Sequence, residues 1–231
     1  MSNKASKIIS LAIIIVSFAG IIFWQVLFSD KINYYIISVV FLLLSMLPFF
    51  VSFERKKLSA REITLTATLI ALAVVSRAAF YLVPQVKPIA AVVIASAVCL
   101  GAERGYIIGA FSAFVSNFFF AQGLWTPFQM AALGRVGFIA GLIFSKAHNK
   151  ILLAGVGFLL SAVVYSVIVD TSTILLMYGK NITLQGMISV YAAGIQFSLV
   201  FGASTAVFLF VFGESFINKI ERINTKYNLA K

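Results

Sequence analysis

The chain has 231 residues, of which 61% are hydrophobic and only 11% are charged, and its mean hydropathy is +1.05. Soluble globular proteins have roughly 45–50% apolar residues, so this composition excludes a soluble globule and indicates an integral membrane protein. The formal net charge of +11 would suggest nucleic-acid binding in a soluble protein. In a membrane protein, basic residues in cytoplasmic loops explain such a charge, and we expect no nucleic-acid partner.

Apolar runs bounded by charge, glycine or proline predict eight membrane helices. They lie at about 8–28, 33–53, 62–83, 88–102, 105–121, 126–145, 151–178 and 185–213. The charged stretch at residues 54–61 separates the first two helices from the last six. We therefore predict an all-α integral membrane protein in two parts. Residues 1–57 form an N-terminal transmembrane hairpin with a basic cytoplasmic linker, and residues 58–231 form a six-helix membrane domain with a basic cytoplasmic tail.

The distribution of lysine and arginine predicts the orientation of these helices. With a cytoplasmic N-terminus, the inside segments carry thirteen of these residues and the outside segments carry three. Cytoplasmic loops of membrane proteins are enriched in lysine and arginine. We therefore expect a multi-pass protein of the cell membrane, in contact with the lipid bilayer, with both termini in the cytoplasm.

One predicted helix is short, because residues 88–101 provide only 14 positions. A helix of this length spans about 21 Å, less than a hydrocarbon core of roughly 30 Å. Irregular or polar backbone at membrane depth has to be covered by protein or water. We expect this segment to run beside a water-filled cavity or to bend, with the cavity opening on the outer face near residues 84–88.

Polar groups are concentrated toward the outer side of the predicted membrane domain. The stretch 117–129 (NFFFAQGLWTPFQ) interrupts the apolar pattern, and two arginines lie inside neighbouring predicted helices. Charged residues within a membrane are costly and typical of functional sites, although a structural ion pair with Asp170 is the alternative. Amides and aromatic rings favour a large, flat, hydrogen-bonding organic ligand over a bare ion. The candidate binding residues are Arg77, Tyr81, Gln85, Lys87, Asn117, Gln122, Trp125, Gln129, Arg135 and Asp170.

Small residues four positions apart allow close helix packing. Ala67 and Ala71 form such a pair in the cytoplasmic half of the 62–83 helix, where they make a flat stripe for another helix. For the glycines with the same spacing we predict packing inside the protein; they are Gly101, Gly105 and Gly109, and Gly137 with Gly141.

The sequence contains no catalytic or metal-binding pattern. His148 is the only histidine, and there is no metal-ligand cluster, no intramembrane carboxylate pair and no phosphate-binding loop. We predict that the protein is not an enzyme and has no cofactor and no metal. A membrane-embedded enzyme acting on lipid is the alternative of a different class, and its acid or base would have to come from Arg77, Arg135 or Asp170.

Together these residues resemble a known family. The pair Ala67 and Ala71, then Arg77, then residues 84–88 (PQVKP) and 116–130 (SNFFFAQGLWTPFQM) resemble the substrate-binding S-component of energy-coupling factor (ECF) transporters. Within that family the similarity is greatest to the branch that includes cobalamin S-components. It covers about residues 62–213. It implies a six-helix S-component-like bundle, here preceded by an extra N-terminal helical hairpin that the resemblance does not explain.

The resemblance also implies a mechanism and partners. An S-component captures a vitamin at the outer face and topples within a complex of a transmembrane coupling subunit and two ATPase subunits, which releases the vitamin inside. The expected ligand is cobalamin or another corrinoid, and riboflavin, folate or a queuosine precursor are the alternatives. The alanine stripe of such proteins docks on the coupling subunit, and that role falls to Ala67 and Ala71.

Overall fold

The structure is a computed structural model that describes residues 39–40, 42–44, 46–47, 49–51, 59–144, 149–179 and 181–227. Every regular element in these ranges is a helix. The helices are α1 (Leu42–Val51), α2 (Ala60–Ala79), α3 (Ile89–Leu100), α4 (Ala102–Phe120), α5 (Thr126–Ile143), α6 (Lys150–Tyr178) and α7 (Leu184–Tyr227). The predicted helix at 8–28 and the loop with His148 lie outside the described residues.

Four of the described helices, α2, α5, α6 and α7, are long and apolar enough to cross a membrane. Helices satisfy their own backbone hydrogen bonds, which is the condition for spanning a bilayer as a single segment. The described part of the chain is therefore all-helical, and its long apolar helices are those of a multi-pass membrane protein, as the composition predicts.

Helix α3 lies in the interior of the bundle. Nine of its 12 residues are buried, and it packs against α2, α4, α5 and the last part of α7. Val93 and Ile94 are completely buried. Protein, rather than an aqueous cavity, therefore covers this short helix along most of its length, which explains how so short an apolar segment is accommodated.

Helices α4 and α5 approach each other through glycines. A Cβ atom at Gly137 would lie 2.2 Å from the carbonyl oxygen of Gly105, and one at Gly109 would lie 2.3 Å from that of Leu133. No side chain fits at such distances, so the prediction of internal packing is confirmed for these glycines. Gly101 differs, because a Cβ there would meet no atom within 4 Å, and its φ of 88° explains the glycine instead.

Helix α7 is longer than predicted. It contains a π-helical turn, Leu209–Gly213, and then continues to Tyr227 through residues that the sequence analysis assigned to a basic tail. In this last part Ile217 and Ile220 are buried in the clusters that contain α3. The segment is helical because one apolar face packs on the bundle while the charged face stays exposed.

The described part of the predicted N-terminal hairpin packs against the helices that follow it. Leu42, Met46 and Phe49 of α1 are buried in one cluster with residues of α4 and α5. The Phe49 ring stacks on that of Tyr106, with 3.8 Å between the ring centroids. Helix α1 is thus integrated into the hydrophobic core rather than held apart from it.

Candidate ligand-binding site

Arg77 joins the end of α2 to the end of α4. Its Nη1 donates hydrogen bonds to Ser116 Oγ at 2.5 Å and to Asn117 Oδ1 at 3.0 Å. Its guanidinium carbon lies 4.3 Å from the centroid of the Phe120 ring, in a cation–π arrangement. The structure therefore brings together Arg77 and Asn117, which lie 40 positions apart in the chain.

Asn117 connects this arginine to the start of α5. It is 1% exposed, and its Nδ2 donates to Thr126 Oγ1 at 3.1 Å and to Gln129 Oε1 at 2.8 Å. The Thr126 hydroxyl donates in turn to Gln122 Oε1 at 3.0 Å and accepts from the backbone N–H of Gly123 at 3.2 Å. We call this set of hydrogen-bonded side chains the Arg77 network; its members are Arg77, Ser116, Asn117, Gln122, Thr126 and Gln129.

The loop between α4 and α5 gives the network its shape. Helix α4 ends at Phe120, and the next residue, Ala121, has a φ of 73°. Pro127 lies in the first turn of α5, where its missing N–H costs no hydrogen bond. The Trp125 ring covers Gly123, where a Cβ atom would lie 2.5 Å from ring carbons. A side chain at this position would displace the indole, and Trp125 packs on the loop while 38% of it is exposed.

Lys87 binds the backbone at the end of α2. Its Nζ donates to the carbonyl oxygens of Phe80, of Tyr81 at 3.1 Å and of Val83 at 2.9 Å. These carbonyls belong to the turn that follows Ala79, and the Phe80 oxygen also accepts the backbone N–H of Val83 at 3.1 Å. Lys87 therefore stabilises the turn by which the chain leaves α2.

Phe120 is the meeting point of three candidate residues. Besides Arg77, the Lys87 Nζ lies 5.6 Å from its ring centroid, and the Tyr81 ring lies 5.1 Å away. Partial burial and the nearby positive charge of Arg77 lower the pKa of Lys87. Two cations beside one aromatic ring produce a positive, partly desolvated region at this end of the bundle.

Three candidate residues lie apart from these contacts. Gln85 is exposed in the loop after α2, with a φ of 57°, and no hydrogen bond within the described residues links it to the network. Arg135 is buried in α5, with Tyr106 of α4 in electrostatic range. Asp170 lies half-buried on α6, beside Gly194 of α7. In the described part of the chain Asp170 forms no ion pair with Arg77.

Three residues of this region were not among the predicted candidates. Ser116 and Thr126 belong to the network, and Phe120 supports the two cations. All three lie in the stretch that the sequence marks as unusual. Their small hydroxyls and apolar ring did not distinguish them, because the same residue types are common in ordinary membrane helices.

A different surface is formed by small residues on α2. Ala67 and Ala71 are both exposed, as are the neighbouring Thr64 and Thr68. The two threonine hydroxyls donate to carbonyls of their own helix, of Ala60 at 2.9 Å and of Thr64 at 2.8 Å. Since their hydroxyls are satisfied locally, this face presents mainly methyl groups and is flat enough for another helix to approach.

A known protein family matches the part of the chain that contains the Arg77 network and the exposed face of α2. Residues 56–222 match the family described as "Family of unknown function (DUF6580)". The chain belongs to the DUF6580 family. The DUF6580 match begins next to the predicted boundary between residues 57 and 58, and it contains the Arg77 network and the exposed face of α2. No curated protein and no solved structure matches the chain.

Proposed function

We propose that this DUF6580 protein is the substrate-specific membrane subunit of an ATP-driven ECF-type vitamin uptake transporter. Its ligand is a vitamin, with cobalamin or another corrinoid first, and riboflavin, folate or a queuosine precursor as the other members of the class. The observation that carries the proposal is the Arg77 network, a set of amides and a guanidinium gathered at one end of an apolar bundle.

The free donors of Arg77 support ligand capture. A guanidinium has five N–H donors, and the hydrogen bonds within the described residues use only Nη1. The side chain is mostly but not completely buried, so Nε and Nη2 can donate to an amide, carboxylate or phosphate oxygen. Corrinoids carry peripheral amides and a phosphodiester, which are acceptors of this kind.

Apolar groups around the network support a large, flat ligand. At the same end of the bundle, Tyr81, Leu82, Phe118, Phe119 and Leu124 are between 59% and 89% exposed. Ligand sites combine apolar and aromatic walls with a few convergent polar groups. The exposed rings at this end of the bundle therefore fit an organic ring system better than an inorganic ion.

The exposed face of α2 supports a membrane partner. Ala67 and Ala71 lie six or more residues before Arg77 on the same helix, toward the predicted cytoplasmic side. Small-residue faces allow helices to pack closely in lipid. A ligand region at the end of α2 and a partner surface on its middle turns suit a subunit that binds its solute first and then docks on a transmembrane coupling subunit with two ATPases.

A calorimetric ligand panel tests the capture step. Purified full-length protein is titrated with cobalamin, riboflavin, folate and a queuosine precursor, and we expect one of them to bind with submicromolar affinity. Arg77→Gln should weaken that binding about tenfold to a hundredfold, because hydrogen bonds to charged groups contribute about 1.5–3 kcal/mol. Arg222→Gln, an exposed arginine of α7, is the control for loss of charge. A folded protein that binds none of the panel would refute the proposal.

A transport assay tests the partner surface. Replacing Ala67 and Ala71 by phenylalanine should abolish ATP-driven uptake in cells with the coupling subunit and ATPases, while calorimetric binding stays unchanged. Leu72→Phe is the matched control, because Leu72 is also exposed on α2 but lies about 100° around the helix axis from Ala71. If the double variant loses binding as well, the alanines serve the fold of the binding domain, and the docking role is wrong.

A further inference from the structure

A groove lies between the beginning of α2 and the end of α7. Its volume is about 410 Å³, and its walls include Arg61, Leu65 and Thr68 of α2 and Ile223 and Tyr227 of α7. Leu65 is partly buried, and Ile223 is 41% exposed. The groove is thus apolar along its length and lies at the bundle end that the distribution of basic residues assigns to the cytoplasm.

Two cations meet at one aromatic ring beside this groove. The Arg61 guanidinium carbon lies 5.6 Å from the centroid of the Tyr227 ring, and the Lys226 Nζ lies 5.4 Å from it. Both basic side chains are exposed. The carboxylate of neighbouring Glu62 forms an ion pair with Arg104 and accepts a hydrogen bond from the backbone N–H of Ser59. Its partners are therefore residues other than Arg61.

We propose that this groove binds one anionic phospholipid of the cytoplasmic leaflet. The phosphate lies between Arg61 and Lys226, and an acyl chain runs along Leu65 and Ile223. Charge complementarity favours an anionic headgroup, since the cytoplasmic leaflet is negative and attracts basic residues at helix ends. The apolar walls below the cations match a hydrocarbon chain, which a free phosphate lacks. This inference depends on the membrane location and not on vitamin transport.

Native mass spectrometry of the full-length protein tests the site. Detergent-solubilised protein is titrated with phosphatidylglycerol or phosphatidylcholine, and we expect one phosphatidylglycerol to bind in preference. Removing one cation near a membrane surface lowers affinity for anionic lipid by roughly fivefold, so Arg61→Gln with Lys226→Gln should weaken binding by more than tenfold. The control variant, Lys150→Gln with Lys219→Gln, removes the same charge elsewhere and should retain the preference.

A second variant separates the groove from its charge. Thr64 lines the groove and is exposed, so Thr64→Trp fills the space without changing any charge, and thermal unfolding confirms that the variant is folded. We expect it to lower phosphatidylglycerol binding as well. Equal binding of the two lipids, an equal loss in the control variant, or unchanged binding by Thr64→Trp would overturn the proposal. A protein dimer that Thr64→Trp abolishes would identify a second copy as the occupant and would overturn it too.

Discussion

Replacing Gly137 by alanine tests the close packing of α4 against α5. The added Cβ would lie 2.2 Å from the Gly105 carbonyl oxygen, 2.6 Å from its carbonyl carbon and 2.9 Å from Val93 Cγ1. Carbon and oxygen atoms in contact lie about 3.3–3.6 Å apart. The two helices therefore have to separate by about 1 Å to admit the methyl group.

The expected cost follows from this separation. A gap of about 1 Å forfeits up to about half of the dispersion energy of the atoms involved, and overpacking costs about 1–3 kcal/mol in general. The obstructing atoms belong mainly to backbone, which cannot rotate away as a side chain can. We therefore expect about 3 kcal/mol, which corresponds to a change of roughly a hundredfold in the folding equilibrium and to a fall in Tm of about 6–12 °C.

Thermal unfolding in detergent measures this effect. A thiol-reactive fluorogenic dye reports unfolding through Cys99, the only cysteine of the chain and a partly buried one. Gly155→Ala is the control, because a Cβ at Gly155 meets no atom within 4 Å; it should be neutral or stabilise the helix by up to about 1 kcal/mol. If Gly137→Ala melts no lower than Gly155→Ala, the inferred closeness of α4 and α5 is wrong.

Three other substitutions follow from the contacts at the two ends of α2. Thr126→Val keeps the shape of the side chain but removes one of the two acceptors of Asn117 Nδ2 and the acceptor of the Gly123 N–H. It should therefore lower stability by about 1–3 kcal/mol in the same assay; an unchanged Tm would contradict the network. Glu62→Gln removes the ion pair with Arg104; the Glu62 side chain is 15% exposed and that of Arg104 is 10% exposed. We expect the substitution to lower the free energy of unfolding by about 2 kcal/mol, less than the roughly 3–5 kcal/mol for a fully buried pair. That cost should disappear when Glu62→Gln is introduced into an Arg104→Gln background. Lys87→Met keeps the aliphatic stem but removes the donor to three carbonyls, so amide hydrogen exchange at residues 80–88 should accelerate; exchange at the wild-type rate would show that these bonds do not order the turn.

The positions of the helices were largely predictable from apolar runs and breakers, but some of their ends were not. The start of α5 at Thr126 agrees with the prediction, since Pro127 marks a first helical turn. Helix α2 was predicted to reach residue 83 but ends at Ala79, and Lys87 holds the carbonyls of the turn that follows. Apolar residues continue through this turn, so hydropathy alone gives no signal of the helix end.

The end of α7 shows the opposite error. Its last turns are rich in charge, which the sequence analysis interpreted as a tail. The helix nevertheless continues to Tyr227, because Ile217 and Ile220 lie on one face and are buried. Phe216, Ile217, Ile220 and Ile223 recur at helical spacing, so the sequence carries a signal for an amphipathic helix that the high charge of the segment masks.

The candidate site was predictable in composition but not in pairing. Arg77 and Asn117 were both recognisable as polar residues out of place in an apolar sequence, and the structure joins them directly. Arg135 and Asp170 had the same signal, yet they lie elsewhere in the bundle. Contacts between distant segments depend on how each helix is rotated about its axis. An error of a few degrees per residue in that rotation accumulates along a helix, so sequence periodicity does not predict which side chains meet.

The length of α7 has a mechanical consequence. Its 44 residues form one continuous helix, about 66 Å long, roughly twice the thickness of a hydrocarbon core. Such a rod links the loop before Leu184 at one end of the molecule to Tyr227 at the other. A tilt of about 10° about one end displaces the far end by about 11 Å over this length. If α7 tilts as a rigid unit, a small movement at the loop before Leu184 becomes a large displacement of the basic surface around Tyr227.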